Sequence, residues 1–262
     1  MIPVSVVINT LNEERQIQGC IESVRWADQI VVVDMMSSDN TAEIAGKLGC
    51  EVYAHKREGY VEPARQFAIS KARHPWVLVI DADERCSTAL ATWIKTQLLG
   101  QQYSAFRIPR RNYMKDRWLK CCGWYPDSQL RLFRKDKATF SNIIHRAPLI
   151  RGEVKNMPVI GEIYLQHHAV TSLMDRFEKL VRYGQIAADN SVNQGKRVSG
   201  IGLFLRVAWS FGSSYLLKGG IMNGSLGLVL SLDRAMATLI KYSLIWEQSL
   251  SLSNPAKQSP EF

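Results

Sequence analysis

The sequence predicts an α/β fold: a mostly parallel, doubly wound sheet flanked by helices, followed by a helical C-terminal extension. Three observations predict it. Apolar, β-branched runs alternate with helical patterns through residues 1–108, as strand–helix–strand units require. The second of those runs is continuous rather than alternating, which marks a strand buried on both faces. Beyond residue 171 the apolar residues return at helical spacing.

Each element follows from its residues. Ile2 to Ile8 reads as the first strand. Glu13 to Val24 reads as a helix, with Asn12 as its N-cap and two acidic residues in its first turn. Ile30 to Val33 is the second strand, and Asp39-Asn40-Thr41 opens a second helix that ends at Gly49. Glu51 to Tyr53 is a short third strand, Glu62 to Ala72 a third helix, and Trp76 to Ile80 a fourth strand. Ser104 to Ile108 and Leu130 to Phe133 read as strands flanking a loop that holds Gly123-Trp124-Tyr125-Pro126-Asp127. Leu173 to Asn193 is helical, and residues 201–247 form a second apolar-rich region broken by Arg206, Lys218, Asp233 and Arg234. The polar tail from Ser249 is expected to be disordered.

With 46% apolar and 22% charged residues among 262, the chain has material for a packed core, which excludes a largely disordered or fibrous protein. The net charge of +9 is unevenly placed: residues 1–104 carry −3, 105–155 carry +9 and 156–262 carry +3. A nucleic acid, an anionic small substrate and a membrane surface all remain open as partners at this point. Five cysteines without a C-x-x-C suit neither a disulfide framework nor a zinc site, so a reducing, cytoplasmic compartment is expected. The first apolar stretch is too short for a signal peptide and lacks a basic leader. No apolar run reaches the roughly 18 residues of a membrane span.

Polar residues cluster at the carboxyl ends of the predicted strands, where open α/β sheets bind ligands. Asp81-Ala82-Asp83 follows the buried run Trp76 to Ile80. Two carboxylates at that spacing offer paired oxygen ligands to Mg²⁺ or Mn²⁺; a helix-capping polar turn is the competing reading. Asp34 ends the second strand and either caps a turn or meets a ribose or base. Asn12 and Glu13 serve equally as a helix start, and Arg65 as a solvated arginine. Asp127 sits in a loop that needs no carboxylate to fold. Against Trp124 and Tyr125 it would be desolvated, its pKa raised and its basicity increased. Arg131 and Arg134 read as one basic strand face able to clamp phosphate. Adjacent His167 and His168 point to opposite strand faces, so at most one faces a site; they and His145 otherwise read as structural.

Taken together, V-S-V-V-I-N-T-L-N-E-E, I-V-V-V-D with S-S-D-N-T, and V-L-V-I-D-A-D-E-R resemble the nucleotide-sugar domain of family-2 inverting glycosyltransferases of GT-A fold. F-R-I-P-R-R-N-Y, G-W-Y-P-D-S-Q-L-R-L-F-R-K, R-Y-G-Q-I-A-A-D-N and K-G-G resemble a bacterial branch that includes lipopolysaccharide core glucosyltransferases. The resemblance spans residues 3–247 and implies roles. Thr10, Asn12 and Glu13 would border the nucleotide pocket, with Asp34 on uracil or ribose and Arg65 approaching from the third helix. Asp81 would lie on the donor side and Asp83 on the metal, Mg²⁺ or Mn²⁺. Asp127 would be the base, and Gln129, Arg131 and His145 would face phosphate or acceptor. It further implies a UDP-sugar donor, a lipid-linked saccharide acceptor such as the lipopolysaccharide core, and peripheral contact with the cytoplasmic face of the inner membrane, with no nucleic acid. On this reading residues 1–104 are the donor half, 105–170 the acceptor side of the same domain, 171–248 the helical region and 249–262 the tail. Two departures stand out. Met35 and Met36 replace a Ser-Gly pair, which restricts that backbone, and Arg146 stands where the branch has Glu.

Two rivals are weighed. A nucleotidyltransferase needs a glycine-rich loop after the first strand, and Asn9-Thr10-Leu11-Asn12-Glu13 has no glycine. A non-enzymatic binder of anionic polymers fits the basic, aromatic window but leaves the D-x-D unexplained.

Overall fold

The computed structural model describes residues 2–57, 62–100, 102–139 and 148–253. In chain order the elements are β1 (Val4–Thr10), α1 (Ile17–Ser23), β2 (Gln29–Asp34), α2 (Thr41–Lys47), β3 (Glu51–Ala54), α3 (Glu62–Lys71), β4 (Trp76–Asp81), β5 (Glu84–Cys86), α4 (Thr88–Gln97) and β6 (Ala105–Met114). There follow β7 (Arg117–Trp118), β8 (Ser128–Arg134), β9 (Ala138–Thr139), β10 (Leu149–Ile150), β11 (Val154–Asn156), β12 (Leu165–Val170), α5 (Leu173–Asn193), α6 (Gly200–Gly212) and α7 (Gly224–Ser253). They group into two compact units, residues 1–113 with 126–169, and 114–125 with 170–262. The loop before Asp127 therefore belongs with the C-terminal helices rather than with the strands that flank it.

The first unit is the expected α/β layer. Its main sheet runs β3-β2-β1-β4-β8-β6-β12-β5. The first four of these strands are parallel, and β8 joins β4 and β6 antiparallel. Every residue of β1 is buried. Val4, Val6 and Ile8 pack with Ile17 and Ile21 of α1 and Ile94 of α4, while Val7 packs with Ala64 and Ala68 of α3. Alternate side chains thus feed two cores, and helices cover both faces of the sheet.

The N-terminal loop departs from expectation. Asn12 is not a helix N-cap: its φ is 56°, and α1 begins only at Ile17. Its amide donates to Ser37 Oγ (2.8 Å), and the amide of Glu13 donates to Thr41 Oγ1 (2.9 Å). Residues 12–16 are drawn across to the loop after β2 and form a turn before the helix starts.

In the second unit, α5 and α7 approach closely. A Cβ on Gly184 of α5 would lie 2.6 Å from Ile240 Cγ2 of α7, so a glycine lets these helices touch. Leu119, Cys121 and Cys122 pack around Leu230, which fits the cysteines as packing residues. Helix α7 continues to Ser253, into the stretch expected to be disordered. No helix among the described residues is long and apolar enough to cross a membrane.

Candidate functional site

The parallel register brings the strand ends together. Thr10 pairs with Asp34 across β1 and β2, and Asn9 pairs with Asp81 across β1 and β4. Asn9 and Thr10 are buried, yet among the described residues Asn9 Oδ1, Asn9 Nδ2 and Thr10 Oγ1 have no hydrogen-bond partner. Buried polar groups are nearly always satisfied, so these atoms call for a water or a polar ligand. Asn9 was not among the expected residues; its signal is a lone amide in an otherwise apolar strand.

The loops beside them are held by side chains. Asp34 accepts from Ser37 N (2.9 Å) and Ser37 Oγ (2.5 Å), and Asn12 Oδ1 accepts from Ser38 N (2.8 Å). Asp34 therefore shapes the loop that Asn12 and Glu13 grip. Met36, in the same loop, has φ of 60° and is 67% exposed. This left-handed backbone is the one a glycine adopts without strain, and it lies where the resembled motif has glycine.

A charge network runs beneath these ends. Asp81 Oδ1 accepts from Arg65 Nη2 (2.9 Å), and its Oδ2 accepts from Arg131 Nη2 (2.5 Å). Burial pushes the Asp81 carboxyl up, but Arg131 and Arg65 outweigh it and hold it far below the usual carboxylate range. The two carboxylates of the D-x-D therefore do not act as a matched pair, because Asp81 is taken by guanidinium groups. Arg131 also donates to Glu84 Oε1 (2.8 Å), which accepts from Arg110 Nη1 as well (3.1 Å). Glu84 is fully buried and was not singled out from the sequence.

The expectation for Arg131 and Arg134 is corrected. Residues three apart on a strand face opposite sides. Arg131 is buried in the network, whereas Arg134 is exposed and pairs with Asp136 (3.1 Å).

Asp127 lies at the other end of the network. Its Oδ2 accepts from Arg110 Nε (2.9 Å) and Asn112 Nδ2 (3.0 Å), and its Oδ1 from Gln129 Nε2 (2.5 Å). Burial raises the carboxyl, but Arg110 and the hydrogen bonds from Asn112, Gln129 and Arg110 bring it below its ordinary value. The expected upward shift is thus reversed: Arg110 decides the sign. Asp127 is an ionised acceptor with every oxygen already engaged.

Asn112 carries the chain onward. Asp127 only accepts, so the Asn112 amide nitrogen faces it and Asn112 Oδ1 faces His167 Nδ1 (2.6 Å). That bond leaves the proton on Nδ1 and turns Nε2 toward Asp83 Oδ2, 3.3 Å away. An imidazole nitrogen and a carboxylate at this distance are placed to share a metal ion. The register of β12 on β5, with His167 opposite Glu84, creates this meeting, and the backbone N–H of His168 donates to the Asp83 carbonyl (3.0 Å). Among the described residues no group of three or more His, Cys, Asp or Glu side chains is arranged to hold a metal. One carboxylate and one imidazole nonetheless fit Mg²⁺ or Mn²⁺ when substrate phosphates complete the shell. His145 and Arg146 lie outside the described residues.

Comparison with known proteins places this geometry in context. The family described as Glycosyl transferase family 2 matches residues 5–154. An uncharacterized glycosyltransferase of Rickettsia conorii is 30% identical over 272 residues, 96% of this chain and 92% of its own. A lipopolysaccharide core biosynthesis glycosyltransferase of Rhizobium meliloti is 31% identical over 210 residues, 75% of this chain and 74% of its own. Among solved structures, TarS of S. aureus in complex with UDP aligns at 14% identity and a TM-score of 0.46, over 100% of this chain and 94% of that one.

Proposed function

This chain belongs to glycosyl transferase family 2, and from that premise we propose that it moves glucose, with inversion, from UDP-glucose to the lipopolysaccharide core or another lipid-linked saccharide. The observation that supports this most is the hydrogen-bonded run Asp127–Asn112–His167–Asp83. It sets a candidate base beside a candidate cation site, and the Asn9 and Thr10 side chains at the end of β1 have polar atoms unpaired among the described residues.

Thr10, Asn12, Glu13 and Asp34 border the nucleotide, with the Asn9 amide and Thr10 hydroxyl supplying its hydrogen bonds. Arg65, braced on Asp81, presents its guanidinium to ribose or base. Asp127 accepts the proton of the acceptor hydroxyl at Oδ1 once Gln129 yields that position, while Arg110 keeps Oδ2 in place. The hydroxyl attacks the anomeric carbon from the face opposite the leaving group, so a single displacement inverts it. Asp83 and His167 would hold Mg²⁺ or Mn²⁺, which when bound would supply positive charge against that gained by the departing diphosphate. Arg131 braces the carboxylates rather than touching phosphate.

The acceptor reading is supported by the name of the Rhizobium relative and by the +9 charge of residues 105–155. Action at the cytoplasmic face of a membrane suits a lipid-linked acceptor. The test is a panel of nucleotide sugars scored for thermal stabilisation and Mn²⁺-dependent hydrolysis. UDP-glucose is expected to rank first; a panel in which no nucleotide sugar stabilises the protein overturns the reading.

A further inference from the structure

The second unit carries two features that the transfer chemistry does not use. Helix α6 fully buries none of its residues. Ile201, Phe204, Leu205 and Trp209, at the spacing of one helix face, are 59–76% exposed. The apolar surface continues through Leu217 and Met222, at 73% and 87% exposed. Four large apolar side chains exposed on one helix face are unusual on a protein that meets only water.

The second feature is a recess of about 190 Å³ lined by Cys122, Gly123, Trp124, Arg176, Asp233 and Arg234. Arg176 is held by Asp233 through two bonds of 2.8 Å and lies over the Trp124 ring at 5.3 Å, so the carboxylate in the recess is already neutralised. Two further cations converge over Gly123. A Cβ built there would lie 2.9 Å from Arg234 Nη1 and 3.5 Å from Lys218 Nζ. The partner of Arg234 is a carbonyl, Cys122 O at 3.3 Å, and no salt bridge to a carboxylate joins either cation among the described residues. Like charges drawn together over a bare backbone repel unless an anion lies between them. Gly123 has φ of 81°, so the space they share is kept open by a residue without a side chain.

We propose that Lys218 and Arg234, over Gly123, form a phosphate site for an anionic phospholipid headgroup, and that the exposed face of α6 inserts beside it into the interface. Apolar side chains that enter the acyl boundary and cations that meet headgroups are the two components of an interfacial anchor. The assignment deepens the membrane contact of the proposed function and rests on that part of it.

The test uses the full chain in vesicle flotation, with phosphatidylcholine alone or mixed with phosphatidylglycerol. The protein is expected to float with both and to prefer the anionic vesicles, a preference lost at high salt. Lys218→Gln with Arg234→Gln should reduce that preference roughly thirtyfold, each cation contributing about fivefold, while binding to neutral vesicles persists. Lys196→Gln with Arg197→Gln removes the same charge elsewhere and should reduce it less. Unfolding temperature and nucleotide-sugar hydrolysis confirm that each variant is folded. Equal losses in the two double variants would overturn the site. So would equal binding of the unmodified protein to both vesicles, which leaves the membrane contact standing. Displacement from anionic vesicles by millimolar inorganic phosphate at constant ionic strength would assign the recess to a soluble phosphate instead. No binding to either vesicle, with a dimer in light scattering, would overturn the membrane contact as well. Hydrolysis is read separately, so the transferase reading stands or falls without reference to these outcomes.

Discussion

The two units of this protein place polarity in opposite positions. The first buries charge: Glu84 and Arg131 are inside, and Arg65, Asp81, Glu84, Arg110, Asp127 and Arg131 each have an ion-pair partner in one network. The second exposes apolar side chains along α6 and brings two cations, Lys218 and Arg234, together over Gly123. In the first unit a substitution removes a partner that water cannot replace. In the second, on the proposed reading, it removes a group whose partner is a membrane. The same kind of change should therefore be read by different measurements: activity and stability in one unit, surface binding in the other.

The largest effect is expected where buried charge meets chemistry. Asp127→Asn keeps the shape and leaves Gln129 and Arg110 near their places, but it removes the proton acceptor. Transfer should fall by about 10²–10⁴-fold, while UDP affinity measured by calorimetry stays within about twofold. Unchanged turnover would remove Asp127 as base. Because Arg110 holds the carboxyl below its ordinary value, Asp127 should contribute no acidic limb to the rate above about pH 4. An aspartate raised by desolvation would instead place that limb above pH 5.

Next comes the network itself. Arg131→Met leaves Glu84 and Asp81 with a lost partner inside the protein, and should cost about 3–5 kcal/mol in denaturant unfolding. The sign of the pH dependence follows from the lowered carboxyls of Asp81 and Asp127. The unfolded chain holds these protons more tightly, so the stabilisation is present above about pH 4 and is lost as pH falls through the folded values. In Arg131→Met the acid-dependent loss should shrink, since Asp81 is then less depressed. A variant that keeps its full stability would show that the buried pairs are replaceable by packing.

How much of this was legible from residues alone depends on the range of the contact. The strands near the N-terminus were legible because β1, β2 and β4 are mostly apolar runs, and the polar ends Thr10, Asp34 and Asp81 follow directly. Asp127 was legible as a carboxylate in a loop with no folding need for one. Arg110, Asn112, Glu84 and His167 were not, because their meeting depends on the register of β6 on β8 and of β12 on β5, which no local pattern encodes. The same gap reversed the Asp127 shift: its aromatic sequence neighbours pointed upward, while Arg110, seventeen positions away, pulls it down. Arg131 and Arg134 were a different failure, of parity, since three residues along a strand is an odd step.

A smaller effect tests the loop between these regimes. Met36 holds a left-handed backbone that costs an ordinary residue about 1–2 kcal/mol, and its side chain is largely exposed. Met36→Gly relieves that strain but gives the unfolded chain more freedom, worth about 0.4–1 kcal/mol. A net gain of roughly 0.5–1 kcal/mol in unfolding free energy is expected. A loss would mean that the Met36 side chain stabilises the loop beyond its backbone cost.

The smallest expected change in stability is the one that separates the two units most sharply. Trp209→Gln trades a large aromatic on α6 for a good helix former. The ring is 69% exposed, so folding recovers little of its transfer free energy and the helix loses little else. Unfolding free energy should move by no more than about 0.5 kcal/mol, in contrast to the several kcal/mol of Arg131→Met. Vesicle binding should nonetheless weaken, because the ring's apolar area is then missing from the interface it would enter. A stability loss comparable to that of a core substitution would show that this face is covered within the protein, and the contrast between a unit completed from inside and a unit completed from outside would fail at that residue.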